Sequence, residues 1–410
     1  MKLTKTLHMH KILLFGALLF AVSFGDAIMS YVTPVLIEDS LKDPFLVGIV
    51  ISLSSLFGIF FDFYVGERLS NKSYGFFIKW TIIIALLFPL IFLFLPRITV
   101  FFVLAMIVWS IYYELRNYSK YNFVHNFVAK HEHTLAFSIT NTFQWTAYAL
   151  GPLAAVYLLD KHINVPLITA VAVILVSALY YTLISKHIRK ATLDELAVFR
   201  HKSVKKELKL LNVLVKSIWP LLLFNFAIVL VDVSFWTTGI LFAEKLRANN
   251  QLGGLFMTVY GIPALYVGFV VPLMFKHTGK KKNAYLLGIT TGIFVLLLGL
   301  VTNTALILLA VLLLSTCVSA CVILLDAVFE DYVARLKDEG NDLISISSMS
   351  TNLSYTLGPI MLGFIASKVS YEATFVFTGV LLILISFISL AFTPPKIRMP
   401  NRDLDNILNN

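Results

Sequence analysis

Two aspartates, Asp26 and Asp232, stand 206 residues apart, each inside a long run of apolar residues. A charged carboxylate at the centre of a hydrocarbon layer costs about 2.5–3.5 kcal/mol even on insertion scales. Such a group is expected to face the protein interior, and to shed that cost by taking up a proton or by pairing with a cation. The chemistry open to it is reversible proton uptake or the holding of a solute. A second concentration of charge lies in WSIYYELRNYSKY, residues 109–121, where Trp109, Tyr112, Tyr113, Glu114, Arg116 and Asn117 mix aromatic faces with opposite charges. Glu114 and Arg116 are two positions apart and point in different directions on a helix, so each is expected to pair with another helix, one of them with Asp26. Aromatic rings beside a carboxylate also suit a lipophilic cation, through cation–π attraction.

Further polar side chains at comparable depth are Asn141, Gln144, Trp145 and Tyr148, then Asn225, Trp236 and Tyr260, then Ser348, Asn352 and Tyr355. All are candidates for the wall of an internal cavity. No catalytic motif accompanies them. KHEHTL holds His131, Glu132 and His133 but lacks the second His that a zinc helix requires, and GKKKN at Gly279 is no phosphate loop. Neither a metal nor a cofactor is expected, and no enzyme activity. Cys317 and Cys321 lie four apart on one helix face and are expected as free packing residues, because partners in one straight helix rarely reach disulfide geometry.

The elements that carry these residues can be read from composition. Hydrophobic residues make up 58% of the chain and charged residues only 14%, with a mean hydropathy of +0.84. A soluble domain carries about a quarter charged residues, so the chain is read as a membrane protein. Twelve runs have the length needed to cross the hydrocarbon core: residues 12–37, 45–66, 76–95, 99–122, 135–159, 166–185, 217–243, 251–275, 284–301, 305–330, 343–367 and 372–393. The runs are continuous, where membrane strands would alternate in short segments, so helices are expected.

Six runs fall in each half, and the halves resemble one another. ALGPLAAV at Ala149–Val156 is followed 207 positions later by TLGPIMLG at Thr356–Gly363. At the same offset Ser138, Ile139 and Tyr148 fall on Ser345, Ile346 and Tyr355; at an offset of 206, Asp26, Glu38 and Gly48 fall on Asp232, Glu244 and Gly254. The chain reads as a tandem duplication, with a six-helix bundle at 1–185, a linker at 186–216, a second six-helix bundle at 217–393 and a tail at 394–410.

Of 33 basic residues, only Lys42, Arg97, Lys161, Lys245, Arg247 and Lys368 fall in loops on one side, which the positive-inside rule makes the outer one. Both termini are expected in the cytoplasm. The net charge of +10 then reflects topology and contact with anionic lipid headgroups, not nucleic-acid binding. In the linker, Leu193, Leu196, Phe199, Leu208, Leu211 and Val215 can form an apolar stripe among Lys and Arg, the pattern of a helix lying on the membrane surface.

The loop after the second run reads GIFFDFYVGERLSNKS, with Gly58, Asp62, Gly66, Arg68 and Lys72; its counterpart in the second half, GFVVPLMFKHTGKKK, keeps Gly268, Gly279 and Lys280 to Lys282 but has Pro272 in place of the Asp. With the two six-helix halves and the basic linker, these residues resemble the major facilitator superfamily of secondary transporters over the whole chain. The resemblance implies the major facilitator fold, two halves around a central cavity whose opening alternates between the two sides. Asp62 and Arg68 are similar to that family's first signature, and a carboxylate beside cations at a helix end can hold one conformation and release another. Asp326 and Glu330 share a helix face near the cytoplasmic end and are expected to join that gate. AYALGPLAA resembles the signature of the family's antiporters. Its Gly151 and Pro152, with Gly358 and Pro359 in the repeat, are expected to shape a pair of gate helices by close packing and bending.

These readings converge on a proton-coupled exporter of small amphipathic or cationic compounds. Asp26, Asp232, Glu114 and Arg116 are its coupling or substrate residues, and protons, a small-molecule substrate and membrane lipids its partners. Proton-coupled uptake of a small polar solute is the alternative, and a non-transporting receptor or scaffold on the same fold is a third. A monomer in a bacterial-type inner membrane is expected.

Overall fold

The structure is a computed structural model and describes residues 2–69, 72–128, 132–188, 204–275, 279–336 and 340–394. Among these residues it contains helices and turns but no strand. Leu193, Leu196 and Phe199 of the linker stripe lie outside the described residues, as does the tail beyond Pro394.

Ten helices among the described residues are long and apolar enough to cross a membrane. With α5 and α13 they occupy the twelve apolar runs. The first half supplies α1 (Lys2–Leu41), α2 (Pro44–Tyr64), α3 (Tyr74–Phe94), α4 (Thr99–Phe127), α5 (His133–Leu159) and α6 (Val165–Ile188). The second supplies α7 (Val204–Ser234), α8 (Ile240–Asn249), α9 (Phe256–Gly261), α10 (Val267–Met274), α11 (Lys280–Leu298), α12 (Thr304–Leu336), α13 (Gly340–Lys368) and α14 (Tyr371–Phe392).

Local chemistry sets the joints. Between α1 and α2 the chain turns within two residues: Lys42 takes a left-handed φ of 54°, and Asp43 caps α2 by accepting from Phe45 N at 3.0 Å, with Pro44 at the first helical position. The run 217–243, expected as one continuous helix, breaks into α7, a π-helical turn at Phe235–Gly239 and α8. The run 251–275 breaks into a 3-10 turn at Gln251–Leu255, α9, a second 3-10 turn at Ile262–Leu265 and α10. Glycines and Pro263 lie in or beside these breaks, where the helical ladder is weakest.

The described chain forms two compact units, one of Met1–Ala197 with Gly239–Leu265, the other of Val198–Thr238 with Tyr266–Asn410. In the first, α1 packs on α5 and α6, α4 on α2 and α3, and the borrowed segment α8–α9 on α5 and α1. In the second, α7 packs on α13 and α14, and α11 on α12 and α14. Small polar residues draw the second unit's helices together: Ser350 and Ser354 of α13 each donate at 2.8 Å to α7 carbonyls, of Leu222 and Phe226. Cys321 is buried and donates to Ala284 O at 3.3 Å, and both cysteines are free.

Candidate functional site

Asp26 lies inside the first unit with 4% of its surface exposed. Three side chains from two other helices close around it. Trp109 Nε1 of α4 donates to its Oδ1 at 2.7 Å, and the Trp109 ring is held by stacking on Phe88 at 5.3 Å. Tyr148 of α5 donates to Oδ2. Arg116 Nη1 of α4 lies 3.4 Å from Oδ2, so the expected ion pair is with Arg116, and both partners are buried. Arg116 Nη1 also donates to Tyr148 Oη at 2.6 Å and to Tyr112 Oη at 3.2 Å, and its guanidinium stands 4.4 Å from the centre of the Tyr113 ring. Arg116 Nε is buried with no hydrogen-bond partner among the described residues.

The Gly-Pro step explains why Tyr148 can reach. Gly151, three residues on, faces Ala27, the neighbour of Asp26. A Cβ at Gly151 would overlap Ala27 Cβ and stand 3.0 Å from the Ala27 carbonyl carbon. With no side chain at that place α1 and α5 come into backbone contact, and the tyrosine one turn away meets the carboxylate.

The second unit repeats the construction. Gly358 of α13 faces α7, where an added Cβ would stand 2.7 Å from Val233 Cγ1 and 2.8 Å from Leu230 Cδ1. Three residues before it, Tyr355 donates to Asp232 Oδ2 at 2.5 Å. In each repeat a glycine packs beside the residue after an aspartate, and a tyrosine one turn earlier binds that aspartate. At the two offsets the place of Arg116 is taken by Val322 or Ile323, so only the first copy carries a guanidinium there.

The other sequence candidates scatter. Glu114 faces α2, with Oε1 3.5 Å from where a Cβ of Gly58 would stand, and is not brought to Asp26. Asp62 is exposed and accepts from Tyr118 Oη at 3.0 Å; it forms no ion pair with Arg68, which is also exposed, among the described residues. Gly66 lies in the π-helical turn that extends α2. Asp326 and Glu330 are exposed along α12, and their neighbour Asp331 pairs with Lys280 at 2.8 Å. Asn225 donates to Thr351 Oγ1 at 3.1 Å and Ser347 O at 3.3 Å, tying α7 to α13. Trp145 and Ser348 are exposed, Asn117, Trp236 and Asn352 are half-buried, and Tyr260 is buried in α9. Pro152 and Pro359 sit within α5 and α13 as expected.

One residue of α4 that the sequence reading did not single out, Lys120, belongs to the site beside Trp109 and Tyr113. Lys120 Nζ donates to Asn141 Oδ1 at 2.9 Å and to Gln144 Oε1 at 3.4 Å. A signal was present. Trp109, Tyr113, Arg116 and Lys120 repeat at helical spacing on one face, as Asn141, Gln144, Tyr148 and Gly151 do on α5.

A second polar cluster in the same unit joins α1, α5 and α8. Tyr31 Oη donates to Glu244 Oε1 at 2.6 Å; Arg247 donates to Glu244 Oε2 at 2.6 Å, to Asp160 Oδ1 at 2.5 Å and to Val156 O at 3.3 Å.

The sequence model of the Major Facilitator Superfamily matches residues 118–335 and 221–406. Among curated proteins no sequence match is found. Solved structures share the fold. A POT family transporter in complex with 5-aminolevulinic acid superposes with a TM-score of 0.75 at 11% identity, covering 94% of this chain and 96% of its own. The nucleoside transporter NupG gives 0.74 at 14% identity, covering 93% and 98%. A bacterial homologue of the human drug peptide transporters PepT1 and PepT2 gives 0.70 at 14%, covering 94% and 98%.

Proposed function

The chain belongs to the major facilitator superfamily, a multi-pass membrane protein with a transporter's fold, and we propose that it moves a small amphipathic solute across the membrane coupled to protons. The observation that carries this reading is the buried Asp26–Arg116 pair, bridged by Tyr148. A proton arriving on Asp26 removes the countercharge of a guanidinium that is itself buried. Depriving a buried ion pair of one partner costs roughly 3–5 kcal/mol. About 5.5 kcal/mol takes a two-state equilibrium from 1:99 to 99:1, so protonation alone supplies most of a conformational switch. The helices that would respond are α1, α4 and α5, which meet at this pair.

The geometry also bears on substrate and direction. Asp26 spends its charge on Arg116, so a cationic solute would have to displace a guanidinium, and the amphipathic branch of the expected substrate class is better supported than the cationic one. Export was expected from the Gly-Pro signature of α5. Gly151 and Gly358 make the same backbone approach in both repeats, which gives the signature a packing reason independent of direction. Uptake symport is supported instead by Arg116. When a proton occupies Asp26, the guanidinium attracts a solute's polar or anionic end, so proton and solute favour one another's binding, which is the thermodynamic condition for symport. We place the chain in a bacterial-type inner membrane as a monomer, with both termini in the cytoplasm and its basic loops against anionic lipid.

Purified protein in proteoliposomes tests this. Solutes of several classes would be added outside while internal pH is followed. Internal acidification driven by one class supports symport, and alkalinisation would support export by exchange. Silence across all classes would sink the transporter reading in favour of a receptor or scaffold.

A further inference from the structure

Lys120 follows Arg116 by four residues, so both cations project from one side of α4. Its ammonium meets two neutral amide oxygens of α5, of Asn141 and Gln144, and no carboxylate forms an ion pair with it among the described residues. The acid of that neighbourhood, Asp26, already pairs with Arg116. Glu114 points to α2. This side of α4 therefore carries one more positive charge than it neutralises.

Donors for an anionic group are in place. An ammonium has three N–H bonds, and two are directed at the amides. The amide nitrogens of Asn141 and Gln144 have no hydrogen-bond partner among the described residues. An anionic acceptor would engage this set with charge-assisted bonds, about twice as strong as neutral ones. An apolar surface adjoins it. Tyr121 follows Lys120 and is 60% exposed; its ring lies 5.4 Å from that of Phe137, one turn before Asn141 on α5.

From this geometry we infer that Lys120, Asn141 and Gln144 seat the anionic head of an amphipathic solute, a carboxylate or phosphate group, with the apolar part on Tyr121 and Phe137. The inference rests on the transporter reading above and narrows its substrate to amphipathic anions.

Binding to the purified protein in detergent tests the seat without calling on transport. Thermal unfolding would be followed with 3-phenylpropionate, with the primary amide of that acid and with phosphatidylglycerol, for wild type, Lys120→Arg and Lys120→Gln. The acid is expected to raise Tm in wild type and Lys120→Arg at concentrations where the amide does not. In Lys120→Gln its apparent affinity is expected to fall about tenfold or more. If Lys120→Gln does not fold, the double variant Asn141→Leu with Gln144→Leu takes its place with the same expectation. Equal effects of acid and amide, no effect of the acid, or a preference for the acid that survives the substitution would overturn the seat. Stabilisation by phosphatidylglycerol alone would make this a lipid site and overturn it equally. If the acid binds through Lys120 but moves no protons in proteoliposomes, the seat stands and the proton-coupled reading fails.

Discussion

Tyr148 meets Asp26 in the way that Tyr355 meets Asp232: each tyrosine donates to the carboxylate of a helix that its own helix touches through a glycine three residues further on. The two copies share the acid, the phenol and the close approach. In sequence they differ at the place of Arg116, where the second copy has Val322 or Ile323.

If Gly151 sets the reach of Tyr148, Gly151→Ala should separate α1 from α5. The obstructing atoms include the Ala27 backbone, so the cost is expected at the upper end of overpacking, about 3 kcal/mol. Gly358→Ala meets side-chain atoms of Val233 and Leu230, of which only the Leu230 end turns freely, and is expected to cost less, about 1–2 kcal/mol. Thermal unfolding of the two variants in detergent checks the order; equal losses would argue against it. Ala27→Gly should restore part of the first loss.

The Tyr31–Glu244 bond joins α1 to a segment that belongs by sequence to the second half. A hydrogen bond to a charged acceptor contributes about 1.5–3 kcal/mol. A double-mutant cycle of Tyr31→Phe and Glu244→Gln is expected to show a coupling of about 1 kcal/mol or more. Additive losses would mean that α8 is held by Arg247 and packing alone.

Arg247 reaches Glu244, Asp160 and a backbone carbonyl at once. Arg247→Met should loosen α8 from α5 and speed exchange of the amides of residues 240–249, with those of α3 unchanged. Hydrogen exchange by mass spectrometry reads both segments. Unchanged exchange in α8 would remove this cluster from any role as a fastening.

Much of the fold was legible because hydrocarbon imposes it. A run long enough to cross must be helical, and the offset between AYALGPLAA and its repeat marked where the halves correspond. Asp26 and Asp232 stood out because acids are costly at that depth, and one of Glu114 and Arg116 was expected to meet Asp26. The breaks in the run 217–243 were not legible, since a π turn adds a residue without disturbing hydropathy. Nor were the places of Trp109, Tyr113 and Lys120. Their partners, Asp26, Tyr148 and Asn141, lie on other helices, and sequence spacing within α4 gives the face but not what the face meets. The Asp62–Arg68 latch was inferred from neighbours in sequence, while Asp62 finds Tyr118 of α4 instead.

The central claim is that the proton binds at Asp26 against Arg116. Its most direct test compares two rates in proteoliposomes for a solute found to move protons: accumulation driven by an imposed pH gradient, and exchange of labelled for unlabelled solute without one. In Asp26→Asn, which keeps the hydrogen-bonding shape but cannot titrate, gradient-driven accumulation should be lost while exchange continues. Accumulation by Asp26→Asn at the wild-type rate would contradict the claim and place the coupling group elsewhere.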